Sequence, residues 1–510
     1  MHRHRFTGRQ WLLIAMVVVL ALGTAQTLCH VDSDSWFMVF TGRQILDGWK
    51  SGRFPSYPTQ MAGTTHTDWA TIVEQPWVSV IKAVFYNAMG TGGLVILNNI
   101  MAALCVGSIY AWAQWRTKNM SLSIFSAAVP LVLFGGGYVL SGRPMAISGV
   151  LFVWLLWVLE SAEGLSGKDQ SWRLLTVFIV SAIWIRCHMA LWWVGVGICL
   201  IWTMSDTSTV AWTPWTAWQG RHRFWCAFGL YLLGGLTTSY GLDGPLFLLR
   251  AYGSAASIPI SEMLRPDLLS DSMLVCLFGL AVVIWALTDG RLPMRDFILA
   301  ALGVVGGSLA VRNIFMAWIC VLPAFLFMAC HVTFDKNYIA EKLHLSQADR
   351  ENINKWSFDK AFGLHLVVLF VAVTLVVSTV AAVGIRTQSD SNTPVEATQE
   401  ILSNSENTQP RVLTSFNTGA YLMSQGCLVS MDARPELYGS AINKSEDYVQ
   451  EYLKLLRGET SVYDQMADQK CTYVCLDKSA ETASIYQIKH DARFVILYED
   501  EDTIAARISK

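Results

Sequence analysis

The feature that most constrains this chain is a series of long apolar runs that carry almost no charge. A helix rises about 1.5 Å per residue, so roughly 20 apolar residues cross the ~30 Å hydrocarbon core of a bilayer. Windows of that kind fall near 11–29, 92–113, 121–140, 145–160 and 172–186. Further windows lie near 189–204, 224–239, 272–288, 296–311, 312–331 and 361–385. The expectation is a polytopic α-helical membrane protein with about eleven spans. The stretches 172–204 and 296–331 each read as a tight hairpin or one broken helix. Composition agrees, because 510 residues with 53% hydrophobic and only 15% charged side chains are too apolar for an ordinary soluble chain. A net charge of −2, with no basic tract and no zinc-finger spacing, argues against nucleic-acid binding.

The first run follows a basic stretch, Met1 to Arg9. It resembles either a signal peptide or a retained anchor helix, and its length and the spans that follow favour the anchor. Most of the 11 cysteines lie inside apolar runs, where a thiol behaves as a small hydrophobe. Only Cys427, Cys471 and Cys475 fall in the last quarter, an odd number that leaves one bridge from Cys427 open.

Loop charges set the expected orientation. If Met1 is cytoplasmic, the inner loops hold Arg116 and Lys118, then Lys168 and Arg173, Arg221 and Arg223, and Arg291 and Arg295. The loop 332–360 adds Lys336, Lys342, Arg350, Lys355 and Lys360. Every inner loop is then basic, as the positive-inside rule requires. An odd number of spans puts the C-terminal region outside the cytoplasm. On that outer side the arginines stand singly at membrane edges: Arg143, Arg186 and Arg312. Ionisable groups at such depth usually face a cavity or a partner, the alternative being snorkelling to headgroups.

The first outer loop, 30–75, is rich in chemistry. His30-Val-Asp32-Ser-Asp34-Ser-Trp36 opens it where the first span ends. The two carboxylates fit a capping pair for a helix over Trp36–Asp47, and fit equally a base or a metal-binding pair beside a polar cavity. His66, Asp68 and Glu74 follow, with Trp69 and Trp77 among them. Aromatic rings beside carboxylates suit a sugar, although tryptophan also populates the interfacial belt. Outer carboxylates facing outer arginines suit an enzyme that cleaves a bond to a lipid-linked phosphate. A carboxylate would take the acceptor's proton, and guanidinium forks would stabilise the departing phosphate.

After Arg386 the segment 387–410 is polar and reads as a linker between a membrane domain over 1–386 and a small α/β domain over 411–510. Strands are expected over Arg411–Phe416, Cys427–Met431, Cys471–Leu476, Phe494–Tyr498 and Thr503–Arg507. Helices are expected over Thr418–Gln425 and Ser445–Leu456. Asp432-Ala-Arg434 at a strand end is either a ligand site or an ion pair that pins a loop.

Asp32-Ser-Asp34-Ser-Trp36-Phe, Thr41-Gly-Arg-Gln-Ile-Leu-Asp-Gly48 and Arg53-Phe-Pro55 resemble the opening of bacterial GT-C-type membrane glycosyltransferases. That class includes the dolichyl-phosphate-mannose protein mannosyltransferases. Arg143-Pro144, Trp184-Ile-Arg-Cys-His188, Arg312-Asn313, Asp432-Ala-Arg434 and Tyr438-Gly439 carry the resemblance, in order, along nearly the whole chain. This sequence departs from the pattern at Met38, at Met189 after His188 and at Ala433.

The resemblance implies inverting transfer from a polyprenyl-phosphate-linked sugar to a cell-envelope acceptor, at the outer face of the plasma membrane. It implies Asp34 as base, with Asp32 second, and Arg143, Arg186 and Arg312 on the donor phosphate. His188, His66, Glu74, Trp36, Asp432 and Arg434 are the expected substrate contacts. No cofactor is certain; a divalent metal held by Asp32, Asp34, His66 and Glu74 stays open, because some relatives use one and others do not. Two other classes remain: a transporter or flippase of lipid-linked glycans, which would place its charges at the midplane, and a non-catalytic glycan-binding scaffold.

Overall fold

The structure is a computed structural model. It describes residues 8–28, 31–132, 142–205, 221–255, 265–267, 270–289, 292–331, 366, 369–374, 376–378, 380, 392–405 and 408–509. His30, the loops 206–220 and 332–365 and most of 379–391 lie outside the described residues, and with them several of the basic loop positions.

The membrane region runs α1 (Gly8–Leu28), α2 (Ser33–Lys50), α3 (Pro76–Thr117), α4 (Met120–Val132), α5 (Pro144–Glu163) and α6 (Gly167–Cys187). It continues with α7 (Trp192–Met204), α8 (His222–Gly235), α9 (Asp243–Ala255), α10 (Asp271–Asp289), α11 (Met294–Leu309) and α12 (Ile314–His331). Three of the described helices are long and apolar enough to cross a membrane: Pro76–Thr117, Pro144–Glu163 and Val311–His331. Shorter apolar helices occupy Gln10–Val19, Met120–Leu131, Trp192–Met204, Met273–Trp285 and Leu369–Ser378. The stretch 296–331 is a helical hairpin; in 172–204 the two helices scarcely touch one another and each packs on the helix His222–Gly235 instead. Residues 188–191 join α6 to α7, and a 3-10 turn Val311–Asn313 separates α11 from α12.

Two helical stretches escape a hydropathy window. One is the first part of α3, before a kink at Gly90, whose φ of 60° and ψ of −146° suit a residue with no Cβ. The other is α9. Helix α2 lies tightly on α3, since a Cβ at Gly42 would stand 2.0 Å from the Ser79 carbonyl oxygen. That contact holds the middle of α2 against α3, and the site forms at the start of the same helix.

The C-terminal region is a five-stranded sheet in the order β2-β1-β3-β5-β4. Its strands are β1 (Arg411–Thr414), β2 (Leu428–Val429), β3 (Tyr473–Asp477), β4 (Phe494–Glu499) and β5 (Thr503–Ile508). β1 pairs in parallel with β2 and β3, while β5 runs antiparallel to β3 and β4. Inside the segment read as a linker, Val395–Ser403 is a helix that buries Ala397, Thr398 and Ile401 against the sheet. Cys427, Cys471 and Cys475 are buried free thiols.

The sheet does not stand apart from the helices. Thr64, in the loop after α2, forms a parallel bridge to Val429 on the edge strand β2. The Thr65 N–H donates to the Val429 carbonyl at 2.8 Å, and the Val429 N–H donates to Gly63 at 3.1 Å. The short helix Gly419–Ser424 lies on α2, with Tyr421 edge-on to Trp36 at 4.9 Å and Arg43 donating to the Ser424 carbonyl at 3.3 Å.

Candidate active site

The site is built on helix ends. Asp32 is the N-cap of α2, and its Oδ1 accepts from the Ser35 N–H at 3.1 Å and the Ser35 hydroxyl at 3.0 Å. Arg143 holds the corresponding position ahead of α5, where Pro144 fits the first helical residue because its missing N–H would have no partner there. The two helix starts meet: Arg143 Nε donates to Asp32 Oδ2 at 2.7 Å and lies 3.6 Å from Asp34 Oδ2. Lys82 of α3 completes the group, its Nζ donating to Ser35 Oγ at 2.7 Å from a position with no solvent exposure.

The two aspartates differ in access. Asp34 keeps 27% of its side chain exposed and Asp32 only 9%. Burial pushes the Asp32 carboxyl up, but the charges of Arg143 and Lys82 and the hydrogen bonds from Arg143 and Ser35 outweigh it and hold it below the usual range. Asp32 is therefore a spent, ionised anchor, and Asp34 is the carboxylate that a substrate can reach.

A second wall adjoins this one. The Glu74 carboxylate lies 3.7 Å from His188 Nε2, and its carbonyl accepts from the Met189 N–H at 3.0 Å. The Ser148 hydroxyl, one turn along α5, receives Trp184 Nε1–H at 3.2 Å and shares a 2.8 Å hydrogen bond with His188 Nδ1. Arg312 faces Glu74 and His188 electrostatically. Among the described residues it makes no hydrogen bond or ion pair with the protein, so its guanidinium fork is available to an anion.

From the sheet side, Glu436 in the 3-10 turn Pro435–Tyr438 is brought close enough to Glu74 for the two to repel. Burial, then Glu74, pushes its carboxyl up to about 8. Glu74 is raised too, by burial, with Arg312 opposing.

Other expected residues are placed elsewhere. Arg186 donates to the Ala182 carbonyl at 2.7 Å and to Thr237 Oγ1 at 2.6 Å, and lies over the Trp77 ring at 5.5 Å. It ties α6 to the turn after α8 and makes no contact with the aspartates or Glu74. Trp36 has no exposed surface; its ring packs between Tyr86 and Tyr421, and its N–H donates to Thr393 Oγ1 at 3.0 Å.

His66 stacks on Trp69 at 3.8 Å, with Tyr448 at 4.9 Å, in the seam between the loop and the sheet. Burial pushes it down to about 4, so it is neutral. Asp432 is consumed by its neighbours: Arg434 Nε donates at 2.9 Å, Arg434 Nη2 at 2.5 Å and the Tyr438 hydroxyl at 3.0 Å. That geometry pins the turn that carries Glu436. Among the described residues no three His, Cys, Asp or Glu side chains gather as a metal site; Asp32 and Asp34 lie on one wall, Glu74 on the other and His66 in the seam.

Sequence reasoning missed two residues. Lys82 had a signal, a lone lysine inside the apolar run Trp77-Val-Ser-Val-Ile-Lys82-Ala-Val-Phe85. Glu436 had none, because nothing local says that its turn docks on a loop some 360 residues earlier.

No family model and no curated protein matches this sequence. Among solved structures, the apo crystal structure of ArnT from Cupriavidus metallidurans matches over 98% of this chain and 97% of that chain. The TM-score is 0.51 at 11% identity, and ArnT is a GT-C glycosyltransferase. The chain has the GT-C fold. At this identity the likeness speaks for the architecture, and the GT-C fold agrees with the resemblance read from the motifs. The roles of individual side chains rest on the geometry above.

Proposed function

We propose that the chain transfers a sugar from a polyprenyl-phosphate donor to an acceptor hydroxyl at the extracytoplasmic face of the plasma membrane, with inversion. The observation that carries this reading is the pairing of a reachable carboxylate, Asp34, with a guanidinium, Arg143, 3.6 Å away at the start of a transmembrane helix. Asp34 takes the proton of the acceptor hydroxyl. The acceptor oxygen then bonds to the anomeric carbon from the face opposite the phosphate. The bond from that carbon to the phosphate oxygen breaks, and the electron pair leaves with the polyprenyl phosphate. Arg143 and Arg312 meet the charge that grows on the phosphate.

Two further features support the donor class. The GT-C fold is shared with ArnT, a GT-C glycosyltransferase. An apolar groove of about 300 Å³ between α7, α11 and α12, lined by Ile198, Leu302, Gly303 and Met316, reaches Asn313 beside Arg312. It suits an isoprenoid chain whose phosphate ends at that arginine. The orientation expected from loop charges, N-terminus inside and sheet outside, puts this site on the outer face.

The test uses the full chain in lipid nanodiscs with a panel of undecaprenyl-phosphate-linked sugars, reading release of undecaprenyl phosphate. Asp34→Asn should fold normally and lose about 10²–10⁴-fold in rate, the usual contribution of a general base. Full turnover by that variant would remove Asp34 as the base.

A further inference from the structure

We infer that the first part of α3, Pro76–Met89, lies along the membrane surface beside the site and sets an apolar stripe into the lipid leaflet there. The inference does not depend on the transfer reading. A helix over Pro76–Met89 is roughly 21 Å long, too short for the ~30 Å hydrocarbon core. The part over 91–117 is roughly 40 Å long and can cross by itself. The two parts are not collinear. A Cβ on Gly93 would stand 2.2 Å from the Phe85 carbonyl oxygen. On a straight helix, residues with that separation in sequence lie about 12 Å apart along the axis. The chain therefore turns sharply at Gly90, where φ is 60° and ψ is −146°, and carries Pro76–Met89 off the line of the span.

This short helix has two unlike faces. Val78, Ser79, Lys82 and Ala83 are buried, with Ser79 against Gly42 of α2 and Lys82 at Ser35. Trp77, Ile81 and Val84 follow the i, i+4, i+7 spacing of a second stripe, and expose 37%, 42% and 49% of their surface. Arg186 lies over the Trp77 ring at 5.5 Å and bonds Thr237 at 2.6 Å, which joins the stripe to exposed Leu236 beyond α8. From there the Ser239 hydroxyl donates to the Pro55 carbonyl at 3.1 Å, beside exposed Phe54. The spanning part of α3 also turns apolar side chains outward, Ile100 and Leu104. The stripe is thus continuous with the outward apolar surface of a membrane-crossing helix, and that continuity selects lipid as its occupant. Tryptophan and aliphatic side chains on one face suit a helix at the boundary of headgroups and acyl chains. The buried face carries Ser79 and Lys82, so the site stands about one helix diameter, roughly 10 Å, from the lipid. A substrate held by a lipid tail then reaches the site from the side, without leaving the leaflet.

The test uses the full wild-type chain in phosphatidylcholine nanodiscs, with no donor or acceptor. Hydroxyl radicals made in the water phase oxidise the tryptophan, methionine and tyrosine side chains that water reaches, and peptide mass spectrometry reads the rate at each. Tyr486, exposed on the helix Thr482–His490 beside the sheet, is the reference. Corrected for intrinsic reactivity, Trp77 and Met89 should be oxidised about tenfold more slowly than Tyr486, because a stripe set into the acyl boundary is shielded from water. Phosphatidylcholine that carries a diazirine near the head of one acyl chain should cross-link to Pro76–Met89 on irradiation. Oxidation of Trp77 and Met89 at the Tyr486 rate overturns the inference. Protection without a lipid cross-link overturns it as well, since protein, from this chain or a second copy, would then cover the stripe. Neither readout needs turnover, so a failure of the transfer reading leaves both unchanged.

Discussion

The two ends of α5 carry the same kinds of side chain and use them differently. At its end, Glu160 accepts Trp112 Nε1–H at 2.8 Å and Arg116 Nη1 at 2.5 Å, and Arg116 also bonds Asp296. Glu163 accepts from Arg295 and, at 3.1 Å, from Arg221. Three arginines and three carboxylates thus knit the ends of α3 and α5 to the starts of α8 and α11. A cavity of about 420 Å³ opens beside this ring, but Arg116, Glu160 and Arg295 in its lining are already matched to one another or to neighbours. At the start of α5, roughly 30 Å away by helix rise, Arg143 is shared between a sealed and a reachable aspartate, and Arg312 faces Glu74 with no hydrogen bond to its fork among the described residues. The comparison teaches that an arginine at a membrane edge is not by itself evidence of a site. What separates the two ends is how much hydrogen-bonding capacity the fold has already consumed.

Asp296→Ala is the severest way to break this comparison. It leaves Arg116 and Arg295 with less compensation in a buried ring and should cost about 3–5 kcal/mol in unfolding of the full chain. Turnover per folded molecule, read as release of undecaprenyl phosphate, should be unchanged. A stable Asp296→Ala protein with no turnover would mean that the ring belongs to the chemistry. Arg312→Ala should do the reverse, lowering turnover about 10²–10³-fold, the size expected for one donor on a developing charge. Its unfolding should stay within about 1 kcal/mol of wild type, because among the described residues it forms no hydrogen bond or ion pair and faces Glu74 only at longer range. A large stability loss there would make Arg312 a structural residue like Arg186.

The smallest effect concerns the seam. The Glu436 carboxyl is raised in the folded chain from 4.5 to about 8, so burial favours its protonated form. Docking of its turn should be strongest below about pH 4.5 and weaken as pH rises towards 8. Glu436→Gln should flatten that decline, read as protease susceptibility of the C-terminal region at pH 5 and pH 8. An equal decline in the variant would place the sensitivity elsewhere.

Local pattern determined a good deal on its own. Apolar runs specify helices, Asp32 before Ser35 specifies a cap, and Arg143-Pro144 specifies a helix start, because each depends on neighbours within a turn. The sheet could be read strand by strand for the same reason, and the resemblance to GT-C enzymes agrees with the fold that emerged.

Which helix ends meet was decided only by tertiary packing. Arg143 and Arg186 look alike in sequence, yet one reaches an aspartate and the other Thr237, because each side chain bonds whatever the packed helices put within its span. Lys82 and Glu436 enter the site from a helix interior and from a distant turn, where no local rule reports the partner. The short apolar helix at Pro76–Met89 and the helix in the supposed linker escaped notice because contacts with α2 and with the sheet, not hydropathy, hold them. Sequence determined the parts and their chemistry; packing chose which charges would cancel and which would stay available.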